Sequence, residues 1–109
     1  MVEDIALHYF NLFSHKDINA LNDLFADYIT LRDWEIDAKG KTEVLQANKV
    51  IFESVTNIEV QPVKLYSAGH TVIAELRILV NGIEEELVVD ILEFDTDLKI
   101  KAIRAYKGN

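Results

Sequence analysis

Residues 86–94 read Glu86-Leu87-Val88-Val89-Asp90-Ile91-Leu92-Glu93-Phe94, a β-strand pattern with one carboxylate set among apolar neighbours. At the two-residue period of a strand, Val88, Leu92 and Phe94 share the face of Asp90, while Leu87, Val89 and Ile91 make the other face apolar as well. Both faces therefore read as covered. A carboxylate in such a place must take a cationic partner, accept hydrogen bonds or keep its proton, because an unpaired buried charge is costly. These choices lead to different roles, from a satisfied structural Asp to a proton donor.

Outward from this strand the same period continues. Ile58 to Ser67, Thr71 to Val80, Ile83 to Phe94 and Lys99 to Tyr106 are four β-rich runs, separated by the turn signals Ala68-Gly69, Asn81-Gly82 and Asp95-Thr96-Asp97. The pattern predicts an antiparallel meander, with Pro62 making the first run an edge strand or a bulged one. Two registers are open for Asp90. A strict two-residue turn at Asn81-Gly82 puts it opposite Ile73, on the partly polar face of Glu75 and Arg77. One extra residue puts it opposite Ala74, on the apolar face of Leu76 and Ile78. On its other side Asp90 is expected near Ile103 or, after a one-residue slip, near Arg104. Arg104 would favour the carboxylate, whereas apolar neighbours would favour the acid.

Ahead of the strands the period is helical. Val2, Ile5, Ala6, Tyr9, Leu12 and Phe13 recur at three- and four-residue spacing, with Glu3 and Asp4 well placed in the first turn. Asp17 is a suitable N-cap for a second helix through Ile18, Leu21, Leu24 and Phe25, which makes a helical hairpin with the first. Residues Tyr28 to Trp34 alternate as a short strand ending near Asp33. A polar run from Glu35 to Lys41 follows, and Thr42 is expected to cap a third helix reaching about Val55. Three helices followed by a curved, mostly antiparallel sheet describe an α+β domain in which the concave sheet face wraps the helices and leaves a pocket.

At 109 residues and 12.5 kDa the chain is expected to be one domain, residues 1–109, with a single core. A net charge of −8 and a pI near 4.7 argue against a nucleic-acid partner, which would require clustered Lys and Arg. Cysteine is absent, so disulfides, thiolate metal sites and cysteine nucleophiles are excluded together. There is neither a leader pattern nor an apolar run of membrane-spanning length, and a cytoplasmic protein that neither enters nor binds a membrane is expected. His8, His15 and His70 have no metal-site spacing, so neither metal nor cofactor is expected.

Several segments together are similar to the nuclear transport factor 2-like superfamily. They are Tyr9-Phe10-Asn11-Leu12 with Lys16-Asp17-Ile18, Phe25-Ala26-Asp27 leading to Leu31-Arg32-Asp33, Val80-Asn81-Gly82, Val89 to Asp95, and Arg104-Ala105-Tyr106. Within that superfamily the chain most resembles the ketosteroid isomerases and the SnoaL-like polyketide cyclases. The resemblance implies a cone of helices and curved sheet, a site for an apolar small molecule, and a homodimer formed through the sheet. It also implies Asp33 as general base, Tyr9 as a phenol donating to the substrate carbonyl, and Asp90 as a protonated acid completing an oxyanion hole, a device of that family and not a reading of this chain's spacing. The candidate walls of the pocket are Trp34, Asn48, Phe52, Leu76, Ile78 and Ile103.

The chain also departs from that family. Asn48 stands where the isomerases have a supporting tyrosine, and Lys107 where they have a tryptophan, so a steroid is not the expected ligand. An Asp33, Arg32 and Arg104 set resembling epoxide-hydrolysing relatives is a minor alternative. From another functional class comes the alternative of a non-catalytic domain that binds a small ligand or a protein partner in the same cone.

Overall fold

A computed structural model describes residues 1–109. Helix α1 spans Val2–Ser14 and buries Val2, Ala6, Tyr9, Phe10 and Leu12, the apolar stripe expected from the spacing. Lys16, in a left-handed conformation (φ 57°), turns the chain, and Asp17 caps α2 (Ile18–Leu24) by accepting a hydrogen bond from the Ala20 N–H. Ser14 binds α1 to the sheet: its hydroxyl donates to the Phe10 carbonyl and accepts from the Val60 N–H at 2.9 Å. Helix α3 (Lys41–Ser54) presents Val44, Asn48 and Phe52 inward.

Six strands, β1 (Phe25–Arg32), β2 (Asp37–Lys39), β3 (Ile58–Ala68), β4 (Thr71–Val80), β5 (Glu84–Phe94) and β6 (Ile100–Lys107), form one sheet in the order β2-β1-β6-β5-β4-β3. The last four make the expected meander, and the fold is the α+β cone of helices in a curved, mostly antiparallel sheet. Pro62 sits on the edge strand β3 beside a bulge between Pro62 and Lys64, where a missing N–H does no harm. The helices pack against the concave face, and the core includes Phe10, Leu21, Phe25, Ile29, Leu76, Leu92, Phe94 and Ile100. No helix is long and apolar enough to cross a membrane.

The structure departs from the sequence expectation in three places. Phe25 belongs to β1, where it pairs in parallel with Ile100, and not to the second helix, although its spacing from Leu21 continues the helical stripe. Strand β1 accordingly starts three residues before Tyr28, while its end at Arg32 agrees with the expected end near Asp33. Residues 37–39 form β2, antiparallel to β1; with only Ala38 buried, this three-residue strand carries no readable alternation. Helix α3 is capped at Gly40 and not at Thr42. Gly40 has φ 87°, which glycine adopts without strain, and its N–H donates to the Ile29 carbonyl at 2.7 Å.

The hairpin between β4 and β5 settles the face of Asp90. Val80 pairs with Glu84 across the three-residue loop Asn81-Gly82-Ile83, so Asp90 lies opposite Ala74, the register with one extra residue. Asn81 (φ 55°) and Gly82 (φ 71°) supply the left-handed turn. The Asn81 side-chain oxygen also accepts from the Thr56 and Asn57 N–H groups, tying the loop to the entry of β3.

Leu92 is fully buried in the concave face, whereas Ile83 at the hairpin tip is 89% exposed. Leu92→Ala is expected to lose roughly 2–5 kcal/mol of unfolding free energy in urea titrations. Ile83→Ala should stay within about 0.5 kcal/mol of the parent.

Candidate functional site

Between the concave sheet face and the helices lies a cavity of about 280 Å³. Tyr9, Phe10 and Phe13 of α1 and Asn48, Ile51 and Val55 on the α3 side form one wall. The sheet supplies Leu31, Ile58, Val60, Leu76, Ile78, Val88, Asp90, Ile103 and Ala105. At the exposed end stand Asp33, Trp34, Glu35 and Ile36 after β1, with Glu84 and Glu86 from the start of β5. Alternation along β5 explains the last pair, since residues 84, 86, 88 and 90 share one face of the strand.

Asp90 is 8% exposed, and its carboxyl has no hydrogen-bond partner in the protein. Its sheet neighbours are Ala74 on one side and Ala105 on the other. Neither Ile103 nor Arg104 is its partner on β6: Ile103 lies opposite Leu92, and Arg104 opposite Ile91. A bulge between Glu93 and Phe94 sets this offset, which spacing alone does not reveal. Arg104 is also committed elsewhere, in an ion pair with Glu93, so it does not neutralise Asp90. Burial, and secondarily the charge of Asp33, pushes the Asp90 pKa up to about 7.

Tyr9 is 5% exposed and packs at tilted angles against Phe10, Phe13 and Phe25. Its phenol is held well above its ordinary pKa by burial and then by the charge of Asp90, so it is a donor across the physiological range. Asp33 is half-buried at the end of β1. One oxygen, Oδ1, accepts from the Glu35 and Ile36 N–H groups at 2.7 and 2.6 Å, a local turn typical of Asp; Oδ2 has no protein partner.

Of the residues singled out in the sequence, Tyr9, Asp33, Asp90, Trp34, Asn48, Leu76, Ile78 and Ile103 line this one cavity. Phe52 does not: it is buried in the core with its ring edge-on to Phe13 at 4.7 Å. Phe52 shares the inward face of α3 with Asn48 at a four-residue offset, but its ring is taken up by the Phe13 contact, and the cavity is faced by Asn48, Ile51 and Val55. Asn48 is 2% exposed, and its Oδ1 has no hydrogen-bond partner. Arg32 and Arg104 are not among the lining residues, so the epoxide-hydrolase-like set does not assemble. The sequence reading missed Glu35, Glu84 and Glu86; the β5 period was a sufficient signal for the last two.

No protein-family profile matches the chain, and no curated protein does. Solved structures do resemble it. A SnoaL-like protein of unknown function from Burkholderia thailandensis superposes with a TM-score of 0.87 at 13% identity, covering 99% of this chain and 95% of that one. A provisionally named ketosteroid isomerase from Kribbella flavida gives 0.86 at 15% identity, covering 99% and 78%. A provisionally named polyketide cyclase from Sinorhizobium meliloti gives 0.84 at 16%, covering 94% and 93%. At such identities the likeness shows the fold, which is the NTF2-like cone, and not the activity.

The Asp90 environment makes stability pH-dependent. Its pKa in the folded chain, about 7, lies above the ordinary 3.8, so the native state holds a proton that the unfolded chain gives up. This contribution is fully present below about pH 4 and is lost as pH rises through 7. Asp90→Asn should therefore be more stable than the parent by roughly 2–4 kcal/mol at pH 8, with the difference closing near pH 4, in denaturant titrations across that range.

Proposed function

We propose that this chain is a small pocket enzyme that removes a proton α to a carbonyl of an apolar small molecule, acting as an isomerase or cyclase. The observation that carries the reading is that Tyr9, Asp33 and Asp90 line one apolar cavity. The surroundings of Asp90 also favour its protonated form. Two neighbours of this fold, provisionally named as a ketosteroid isomerase and a polyketide cyclase, lend support.

In this reaction the Asp33 carboxylate takes the α proton, and the C–H electron pair moves into the carbonyl to give an enolate. The enolate oxygen accepts hydrogen bonds from the Tyr9 phenol and the Asp90 acid, in a cavity whose apolar walls strengthen both. Asp33 then returns its proton to another carbon, which completes an isomerisation. Alternatively, the enolate carbon attacks a second carbonyl of the same molecule and the new alkoxide takes the proton, which closes a ring. Lys107 stands at the mouth, paired with Glu86 and 5.6 Å from the centroid of the Trp34 ring, an arrangement ill-suited to a steroid's apolar face.

One observation favours a second reading, a non-catalytic small-ligand-binding domain. The two backbone hydrogen bonds to Asp33 Oδ1 give that residue a sufficient structural purpose in the turn before β2. The same proposal includes a cytoplasmic setting and a single functional domain. It also includes a homodimer through the convex sheet face, where Ile73, Leu87, Val89 and Tyr106 are exposed together.

Two measurements separate these possibilities. Exchange of α protons for deuterium in a panel of apolar ketones, followed by NMR, should be catalysed by the parent and slowed at least about a hundredfold by Asp33→Asn. The parent rate should fall as pH rises through about 7, as Asp90 loses its donor proton, and Asp90→Asn should lack that fall. Equal exchange by the parent and Asp33→Asn would remove the enzyme reading. For the dimer, sedimentation at micromolar concentration should give twice the chain mass, and Leu87→Glu should give the monomer; a monomeric parent would contradict the interface.

A further inference from the structure

The exposed end of the cavity carries charge that the proposed proton transfer does not use. Beside Asp33, the carboxylates of Glu35, Glu84 and Glu86 line it, and no lysine, arginine or histidine does. Only Glu86 has a cationic partner, Lys107 at 3.2 Å; Asp33, Glu35 and Glu84 take part in no ion pair. Trp34 lines the same cavity and is 46% exposed, and it already holds the Lys107 ammonium near its face. Deeper in the cavity, the buried Asn48 has an unpartnered amide oxygen, which leaves an acceptor unsatisfied in the apolar wall.

The features of this cavity point to one kind of occupant. The walls are apolar, as a hydrocarbon or aromatic body requires. An anionic group entering the mouth would meet several carboxylates with one lysine to offset them. A neutral group would desolvate those carboxylates without replacing their water. A protonated amine supplies positive charge to Glu35 and Glu84, N–H donors to their oxygens, and a cation for the indole face.

We infer that the cavity binds an apolar molecule carrying a protonated amine, with the body inside and the ammonium held among Glu35, Glu84 and Trp34 at the mouth. Where the inference rests on the proposed proton transfer, the substrate class becomes an amino-substituted carbonyl compound, with the amine remote from the carbonyl that Tyr9 and Asp90 receive.

The test compares phenylbutylamine, phenylbutanol and phenylbutanoate, which differ chiefly in the charge of the end group, by titrating the fluorescence of Trp34, the only tryptophan. The amine should bind about tenfold more tightly than the alcohol, with the carboxylate weakest. The preference should shrink as salt is raised. Glu35→Gln with Glu84→Gln should bring amine and alcohol within about twofold, and Glu84→Gln alone, at an exposed position, should fall between. Equal binding of amine and alcohol by the parent, tighter binding of the carboxylate, no binding of any of the three, or a preference that survives both substitutions would overturn the inference. The readout is binding and not turnover. Loss of the proton-transfer reading therefore leaves the amine preference standing, and exchange on neutral ketones without amine preference removes this inference alone.

Discussion

A β-strand alternates its side chains, so the whole cavity depends on the one-residue question of how β5 is registered against β4. The three-residue loop Asn81-Gly82-Ile83 answers it by pairing Val80 with Glu84, and every even-numbered residue from Glu84 to Phe94 then faces the helices. A two-residue loop would have turned Asp90 outward and put Leu87, Val89 and Ile91 into the cavity. The side chain of Asn81 fixes the loop from a second direction by binding the backbone of Thr56 and Asn57. Turn chemistry at the far end of the hairpin thus decides which carboxyl group the cavity contains.

With that register set, two carboxyl groups share one apolar space in different surroundings. Asp33 is half-buried, with two backbone donors on one oxygen, while Asp90 is deeply buried, has alanines on both sides and has no donor. Lost hydration and, after it, nearby negative charge act in the same direction on Asp90, and its phenolic neighbour Tyr9 keeps its proton for related reasons. The proposed division of labour between a base and two donors rests on these environments, since nothing intrinsic distinguishes one Asp from the other.

Much of this was legible in the residues. The change from a helical to a two-residue period near Thr56 gave the helices-then-sheet architecture, and Asp90 stood out as a charge in an apolar strand. Phe25 misled because its spacing from Leu21 satisfies a helix as well as its β1 position satisfies a strand. Strand β2 was invisible because a single buried alanine makes no pattern. The Ala105 neighbour of Asp90 depends on a bulge after Glu93, and bulges leave little trace in composition. Phe52 was assigned to the cavity because it shares the inward face of α3 with Asn48, and its packing on Phe13, which carries it into the core, leaves no mark in the spacing. Glu84 and Glu86 were within reach of the same period-two argument that drew attention to Asp90.

Strand β6 lies between β1 and β5, and it meets β1 in parallel across a long sequence separation, from Phe25 to Ile100. A ribosome delivers the chain from the N-terminus, so β1 and β2 emerge long before the strand that joins them to the rest of the sheet. Until residues 100–107 leave the exit tunnel, Phe25 and Ile29 have no β6 to cover them, and the meander of β3, β4 and β5 has an open edge at β5. The final sheet closure therefore waits for residues 100–107, and the slow, exposed stage of folding is completed by β6.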